Sequence, residues 1–195
     1  MLHYKLDDIT NDIEDSSGYN HCAKIVSGTL TTNIDTARYS CCTASSTPVE
    51  VKNDTSEIPI ALTTHNSYSF SIWLKTNVTT SRWIYYMGDN SGGCRGLWIT
   101  AAGKPQFAYN GSGTFTSDIV INDNQWHHIC FTVKDATSKC YVDGIDYGGS
   151  TSTKTTVTAS NNIRLIYNQK SDEGKTDNLS DFRIYCTTLS SNDIL

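Results

Sequence analysis

The sequence predicts an all-β protein, an antiparallel two-sheet β-sandwich of the jelly-roll type that forms a single domain over residues 1–195. Three observations lead to this prediction. Short runs alternate between apolar and polar residues, clusters of Gly, Asn, Asp and Ser separate the runs, and the length supports one substantial core. Only 37% of the residues are hydrophobic, which suits strands with one polar face, and 10% are aromatic, which argues against a disordered chain.

The segment from Trp126 to Gly144 shows the alternation most clearly. Apolar residues occupy every second position at Ile129, Phe131 and Val133. This spacing is typical of a strand with one buried face. Asp143 and Gly144 then tolerate the positive φ of a tight turn, and Ile145 begins the return strand. The segment is therefore predicted to form a β-meander.

The same pattern predicts the remaining strands. They are expected over Leu2–Leu6, Cys22–Val26, Arg38–Cys42, Pro48–Val51, Ile58–Leu62, Tyr68–Lys75, Arg82–Met87, Gly96–Ala101, Pro105–Tyr109, Asp118–Ile121, Asn162–Tyr167 and Leu179–Cys186. Only Ser190–Leu195 reads as helical, because a Ser or Asn cap leads into an acidic first turn. The chain ends inside that turn, so we expect one module of a longer polypeptide.

Composition narrows the range of partners and compartments. A formal net charge of −5 without any run of Lys or Arg argues against nucleic acid as a partner. No apolar stretch approaches the roughly 20 residues that cross a bilayer, so no membrane span is expected. No secretion signal is visible, so a role outside the cell implies a particle released by lysis or a leader that has been removed.

The cysteines give no sign of a disulfide framework. There are seven, an odd number without regular spacing, and no Cys-x-x-Cys pair occurs. We therefore expect reduced thiols and no structural zinc site. Cys140 and Cys186 share strand parity with apolar neighbours, which indicates that they act as small buried hydrophobic residues.

Four segments resemble, in order, the signatures of laminin-G-like, concanavalin A-like jelly-roll domains. They are Asp15–His21 with the pattern D-S-S-G-x-x-H, Tyr68–Lys75 with F-T-hydrophobic-x-x-W-hydrophobic-K, Trp126–Gly144 with W-H-H-hydrophobic … Y-V-D-G, and Leu179–Ile194 with D-x-R-hydrophobic-Y … L-S-x-x-x-I. Together they span nearly the whole chain. The resemblance implies the concanavalin A-like form of the jelly roll.

The opening Leu2–Leu6 and the closing Leu179–Tyr185 are most similar to modules of bacteriophage virion proteins, such as tail fibres and baseplate components. This resemblance implies a non-catalytic module located in the virion, which recognises host-surface carbohydrate or packs against other virion subunits. Fibre modules of this kind commonly form homotrimers. The alternative is a carbohydrate-binding adhesion or accessory module of a bacterial secreted protein, located outside the cell or on the bacterial surface.

The resemblance also implies a calcium site. In related domains, an Asp of the D-x-S-G loop and the Asp before the R-I-Y strand often share the ion, and the matching residues here are Asp15 and Asp181. Hard oxygen ligands from a loop suit calcium. In the alternative, Asp15 forms an Asx-turn and Asp181 pairs with a nearby arginine.

Tryptophans mark a candidate glycan-binding face. Trp73 and Trp98 have the parity opposite to their aliphatic neighbours, as does Trp126, so they are expected to gather on an outer face or in a groove, where an indole can stack on a sugar ring. Loop residues that could supply polar contacts are Asp89, Asn90, Arg95 and Asn110. In the alternative, the indoles pack beneath long loops as a second small core.

No catalytic constellation is visible, so the protein is not expected to be an enzyme. Glycoside hydrolases need two nearby carboxylates, yet the Glu-x-Asp-x-Glu alternation of this superfamily is absent and Glu50, Glu57 and Glu173 are isolated. No Gly-x-Ser-x-Gly elbow occurs. His127 and His128 are consecutive in a predicted strand, so their side chains point to opposite faces.

Overall fold

The computed structural model describes the backbone of residues 2–4, 12–13, 16, 23–27, 31–34, 39–43, 49–53, 67–89, 93–109, 113–135, 137–151, 162–165 and 177–194. Side chains are described for residues 3, 16, 67–86, 96–107, 115–135, 137–151 and 177–194. Within these described residues, sixteen strands form two antiparallel sheets of eight strands each. The predicted all-β jelly-roll sandwich is therefore confirmed. Within the described residues, no helix is long and apolar enough to cross a membrane.

The first sheet contains the segments that carry the strongest sequence patterns. Its order is β14 (Ile145–Thr151), β13 (Thr137–Val142), β12 (Trp126–Lys134), β7 (Ser67–Lys75), β16 (Asp177–Tyr185), β5 (Tyr39–Thr43) and β4 (Thr31–Ile34). The short β1 (Leu2–Tyr4) pairs with residues 182–184 of β16, beside the part of β16 that pairs with β5. The middle strands β12, β7 and β16 are thus covered by neighbours on both edges.

The second sheet packs against the first. Its order is β11 (Gly113–Thr116), β10 (Pro105–Tyr109), β9 (Gly93–Ile99), β8 (Arg82–Asp89), β15 (Asn162–Leu165), β6 (Val49–Asn53), β3 (Ala23–Ser27) and β2 (Asp12–Ile13). The core lies between the sheets, as expected when inner faces interdigitate. Phe107 of the second sheet stacks on Phe131 of the first at 4.9 Å between ring centroids, and Phe131 stacks on Phe70 at 5.5 Å.

The predicted hairpin after β13 is confirmed in its geometry. Asp143 and Gly144 have φ values of 51° and 79°, the pair of positive values that a two-residue type I′ turn requires. The Asp143 carboxylate also holds β12. It accepts a hydrogen bond from the His128 amide at 2.8 Å and lies 2.7 Å from Nδ1 of His127. The paired histidines and the Asp-Gly turn of the signature therefore form one structural unit.

Two features of the chain differ from the sequence expectations. Asp118–Ile121 is a loop and not a strand. Ile121 is nevertheless fully buried, and its backbone amide donates a hydrogen bond to the Gly103 carbonyl, so an apolar side chain reaches the core from a loop. The unpredicted strands β2, β4 and β11 are short, and β4 and β11 are largely polar.

The predicted strand at Ile58–Leu62 lies outside the described residues. The final turn is a 3-10 helix over Ser191–Asp193, capped at Ser190 as expected.

Candidate functional site

The tryptophans of the predicted glycan face lie on opposite sides of the sandwich. Trp73 belongs to β7 of the first sheet and Trp98 to β9 of the second. Both are half-buried, whereas their neighbours Leu74 and Leu97 are fully buried, which confirms that both indoles face away from the core. The expectation that they gather on one face is wrong. Alternation reveals which residues point outward but not which sheet a strand joins.

On the second sheet, Trp98 belongs to a packed aromatic cluster. Its ring lies edge-on to its cross-strand partner Trp83 at 5.1 Å, and Trp83 lies edge-on to Tyr86 at 5.1 Å. Gly96 leaves room for this packing, since a Cβ there would stand 3.0 Å from a ring carbon of Trp83. Sequence reasoning missed Trp83 and Tyr86. A β-bulge between Trp83 and Tyr85 puts the consecutive residues Ile84 and Tyr85 in the core, so Tyr86 shares a face with Trp83, which strict alternation does not predict.

The polar loop residues predicted beside the tryptophans are placed only in part. The expectation that Asp89 and Arg95 lie in loops is wrong, because their backbones belong to the paired strands β8 and β9; their side chains lie outside the described residues. Asn90 and Asn110 lie outside the described residues altogether. Their role as glycan contacts therefore stays a prediction.

A cleft of about 120 Å³ opens on the outer face of the first sheet, and we call it the first-sheet cleft. Trp73, His128 and Arg183 contribute from three adjacent strands, β7, β12 and β16. Its volume is well below the roughly 300–1,000 Å³ of typical ligand pockets. The cleft therefore has room for one small ring and not for an enclosed chain.

Trp73 and His128 form the aromatic wall of the first-sheet cleft. They are direct cross-strand partners, and their ring centroids lie 5.1 Å apart with the planes tilted by 39°. His128 is only 8% exposed, so it supports the more open indole from beside it. Trp126 lies one pair further along β12 on the same outer face, opposite Lys75. The first sheet thus presents Trp73 at the cleft and Trp126 toward its end.

Arg183 and Asp181 form the polar wall. The guanidinium donates from Nε to Oδ1 at 2.9 Å and from Nη2 to Oδ2 at 2.8 Å, a bidentate ion pair. Burial opposes the ionisation of Asp181, but the hydrogen bonds and charge of Arg183, together with His3, outweigh it and hold the pKa of Asp181 below its ordinary value. The pair is therefore charged at neutral pH.

The backbone fixes Asp181 in place. A register shift in β16 between Ser180 and Arg183 marks a bulge, and Asp181 adopts a left-handed φ of 55° there. Asp tolerates this region better than most residues. Nε2 of His3, from β1, lies 2.6 Å from Oδ1 of Asp181. A strand at one end of the chain and a bulge near the other thus hold the same carboxylate.

The C-terminal segment 187–194 forms the remaining wall. It crosses the outer face of the first sheet, where the hydroxyl of Ser69 donates to the Thr187 carbonyl at 3.0 Å and accepts from the Leu189 amide at 2.9 Å. Leu189 and Ile194 pack on Cys130 and Tyr141 as a second small core and also line the cleft. This small core consists of Cys130, Tyr141, Leu189 and Ile194, so it is not the core of tryptophan indoles beneath long loops that the alternative expected, and Trp73 stands beside it.

The geometry of Asp181 bears on the calcium prediction. Both of its carboxylate oxygens already contact cationic or polar side chains, so the contact proposed as the alternative, a pair with a nearby arginine, is present. A guanidinium in bidentate contact opposes a second cation on the same carboxylate. Asp15 lies outside the described residues. In the part of the chain that is described, no three His, Cys, Asp or Glu side chains form a metal-binding group.

The carboxylates of the first-sheet cleft are poorly suited to acid catalysis. A glycosidase needs one carboxylic acid whose pKa is raised toward neutrality. The pKa of Asp181 is instead lowered, and Oδ2 of Asp193 accepts a hydrogen bond from the Ser190 hydroxyl at 2.5 Å. What the cleft does offer is the indole of Trp73, which can stack on a small ring, and the charged groups of Asp181 and Arg183, which can hydrogen-bond to it.

The sequence matches a family of known fold. Residues 49–195 match the model described as the Concanavalin A-like lectin/glucanases superfamily, Laminin_G_3. No curated protein matches the chain.

Solved structures share the architecture along the whole chain. The receptor binding domain of botulinum neurotoxin C/D mosaic serotype has a TM-score of 0.77 at 19% identity, covering 99% of this chain and 49% of that chain. Domain 4 of AbnA, a GH43 extracellular arabinanase from Geobacillus stearothermophilus, has a TM-score of 0.76 at 20% identity, covering 99% of this chain and 95% of that chain. The chain thus spans about half the length of the toxin chain and nearly all of the arabinanase domain. At these identities the likeness establishes the fold.

Proposed function

Because the chain belongs to the concanavalin A-like lectin/glucanases superfamily, we propose that it is a non-catalytic module that binds carbohydrate in the first-sheet cleft. One observation carries the proposal. The cleft brings the half-buried indole of Trp73 together with the polar groups of Arg183 and Asp181. An aromatic ring beside a small number of fixed polar groups is the arrangement that orients a sugar by stacking and by hydrogen bonds to its hydroxyls.

Two relatives in fold support a binding role. The arabinanase domain is described in complex with arabinotriose, and it is similar to this chain over almost its full length. Cell entry of botulinum neurotoxin type C is described as dependent on interaction with two ganglioside molecules, and this structure has a TM-score of 0.75 at 19% identity. Both descriptions concern carbohydrate-bearing ligands, which agrees with a lectin-like use of the same scaffold here.

A paired substitution tests the proposal. The protein is screened against a panel of neutral and acidic oligosaccharides, and the best ligand is titrated into the wild type, Trp73→Ala and Trp98→Ala by calorimetry. We expect Trp73→Ala to weaken binding about tenfold while Trp98→Ala leaves it unchanged, since burial of an apolar sugar face against a large side chain contributes on the order of 1.5–3 kcal/mol. Melting temperatures of both variants serve as the folding control. Loss of binding only in Trp98→Ala would place the site on the second sheet.

We further propose which kind of protein this module belongs to. The segments Leu2–Leu6 and Leu179–Tyr185 support a bacteriophage virion protein whose partners are a host-surface glycan and neighbouring virion subunits. A homotrimer is proposed from the resemblance to fibre modules alone. The similarity to a domain of an extracellular arabinanase favours the second candidate, an accessory module of a bacterial secreted enzyme. The genes that flank the coding sequence separate the two, since structural phage genes are expected for the first and polysaccharide-degrading enzymes for the second.

Calcium at Asp15 and Asp181 is a separate proposal that rests on the resemblance. It requires Asp181 to exchange its contact with Arg183 for the ion. A ligand that binds only the folded state raises the melting temperature, and the rise grows with the logarithm of its concentration once that exceeds Kd. A rise in melting temperature with added calcium that Asp181→Asn abolishes would support the site, and equal melting temperatures in calcium and in chelator would overturn it.

A further inference from the structure

We propose that the first-sheet cleft selects neutral sugars over acidic ones and that Asp181 is the residue that sets this specificity, an inference that rests on the proposed function. Arg183 lines the cleft, but its guanidinium is already paired with a carboxylate of the protein. An arginine at a sugar-binding cleft is well suited to a carboxylate, which it binds with two parallel hydrogen bonds. Arg183 has this capacity, but the protein's own carboxylate already uses it.

Asp181 occupies the fork of the guanidinium as an acidic ligand would. It accepts from Nε and from Nη2 of Arg183 at 2.9 and 2.8 Å. An incoming carboxylate must therefore compete with an internal one that is covalently tethered two residues away. Such tethering gives the internal group a high effective concentration, so the competition favours Asp181.

Asp181 is also held against moving away. The bulge gives it a left-handed φ of 55°, and His3 lies 2.6 Å from its Oδ1. Its side chain is 26% exposed, so it lies within the cleft wall and not on a mobile surface arm.

The formal charge of the residues that line the cleft also disfavours an acidic ligand. Asp193 contributes a second carboxylate from the 3-10 turn, where Ser190 fixes one of its oxygens. One arginine against two aspartates leaves a formal charge of −1 among these lining residues, within a chain of formal net charge −5. A negative ligand is repelled there. The hydroxyls of a neutral sugar can instead donate to the carboxylates and accept from Arg183.

The test uses matched ligands that differ at one carbon. A neutral hexose oligosaccharide and its uronic counterpart, in which the C6 hydroxymethyl group is a carboxylate, are titrated in chelator and moderate salt. We expect the wild type to bind the neutral ligand at least tenfold more tightly. Asp181→Asn should lower this ratio at least tenfold by releasing Arg183, and Asn suits the left-handed backbone at this position. Arg183→Gln should instead widen the ratio, because Asp181 then lacks its guanidinium partner and repels the uronic ligand more strongly.

The outcomes separate the two proposals. If the wild type binds neither the neutral nor the uronic ligand, the proposed function and the inference are both overturned. Binding that Trp73→Ala abolishes, but with a preference for the uronic ligand, would overturn the inference and leave the proposed function standing. An unchanged ratio in a folded Asp181→Asn protein, verified by its melting temperature, would also overturn the inference.

Discussion

Arg82 reaches across the interior of the sandwich to Asp177, joining the two sheets through a buried ion pair. Its Nε donates to Oδ2 and its Nη2 to Oδ1, each at 2.6 Å, and both side chains are at most 1% exposed. The other donors are also used, at Thr76 Oγ1 and at the Thr80 carbonyl. A buried guanidinium without such partners is costly, so the pair fixes how the ends of β8 and β16 meet.

Removal of one member of this pair is expected to destabilise the protein strongly. Asp177→Ala leaves the charge of Arg82 buried and partly unpaired, which costs about 3–5 kcal/mol of unfolding free energy. Urea denaturation measures the change. Asp118→Ala is the matched control, because Asp118 pairs with Lys104 on the surface with a fully exposed side chain, and no measurable loss is expected there. Equal small losses in both variants would contradict the inter-sheet role.

The hairpin carboxylate gives a second prediction. Asp143→Ala removes the acceptor of the His128 amide and the contact of His127, so we expect a loss of about 1–2 kcal/mol of unfolding free energy. Asp143→Asn keeps one acceptor and a residue that tolerates positive φ, and it should lose less. Thermal unfolding followed by circular dichroism compares the two. An Ala variant as stable as the Asn variant would show that the turn needs no side-chain acceptor.

The buried thiols should be chemically silent in the folded protein. Burial raises the pKa of Cys130 and of Cys140 to about 12, so almost no thiolate is present at pH 8. Cys186 is free and only partly buried. Alkylation with iodoacetamide followed by mass spectrometry should therefore modify Cys186 before the other two. Modification of Cys130 at the rate of the unfolded chain would mean that the C-terminal segment does not cover it.

The ion pair at Asp181 predicts an acid-sensitive contribution to stability. The pKa of Asp181 in the folded protein lies below its ordinary value of 3.8. Its contribution is therefore complete above that ordinary value and is lost as the pH falls through the lower folded value. The stability difference between the wild type and Asp181→Asn should shrink on acidification from pH 6 to pH 2. A difference that grows over this range would contradict the assignment.

Much of the architecture follows from local patterns, and the cleft does not. Alternation identified β7 and β12 and the outward parity of Trp73 and Trp98, because one buried face leaves a period-two trace. It could not assign the two strands to different sheets, which depends on pairings between residues distant in sequence.

Two further features could not be predicted from the sequence: the β-bulges and the packing of the C-terminal segment on the first sheet. The bulge in β16 turns Asp181 toward Arg183, and the bulge in β8 adds Tyr86 to the outer face beside Trp83, yet neither leaves a signal in the residue pattern. The helical turn at Ser190 was predictable from its cap. Its packing over Cys130 was not, because the contact joins segments some sixty residues apart in sequence.

The four tryptophan indoles provide the most direct test of carbohydrate binding in the first-sheet cleft. Each indole N–H gives a separate proton–nitrogen correlation in an NMR spectrum, and substitution of each tryptophan assigns it. On titration with the neutral oligosaccharide, we expect the Trp73 signal to shift with the largest amplitude while those of Trp83 and Trp98 remain in place. A shift of the Trp98 signal with an unmoved Trp73 signal would contradict binding in the first-sheet cleft.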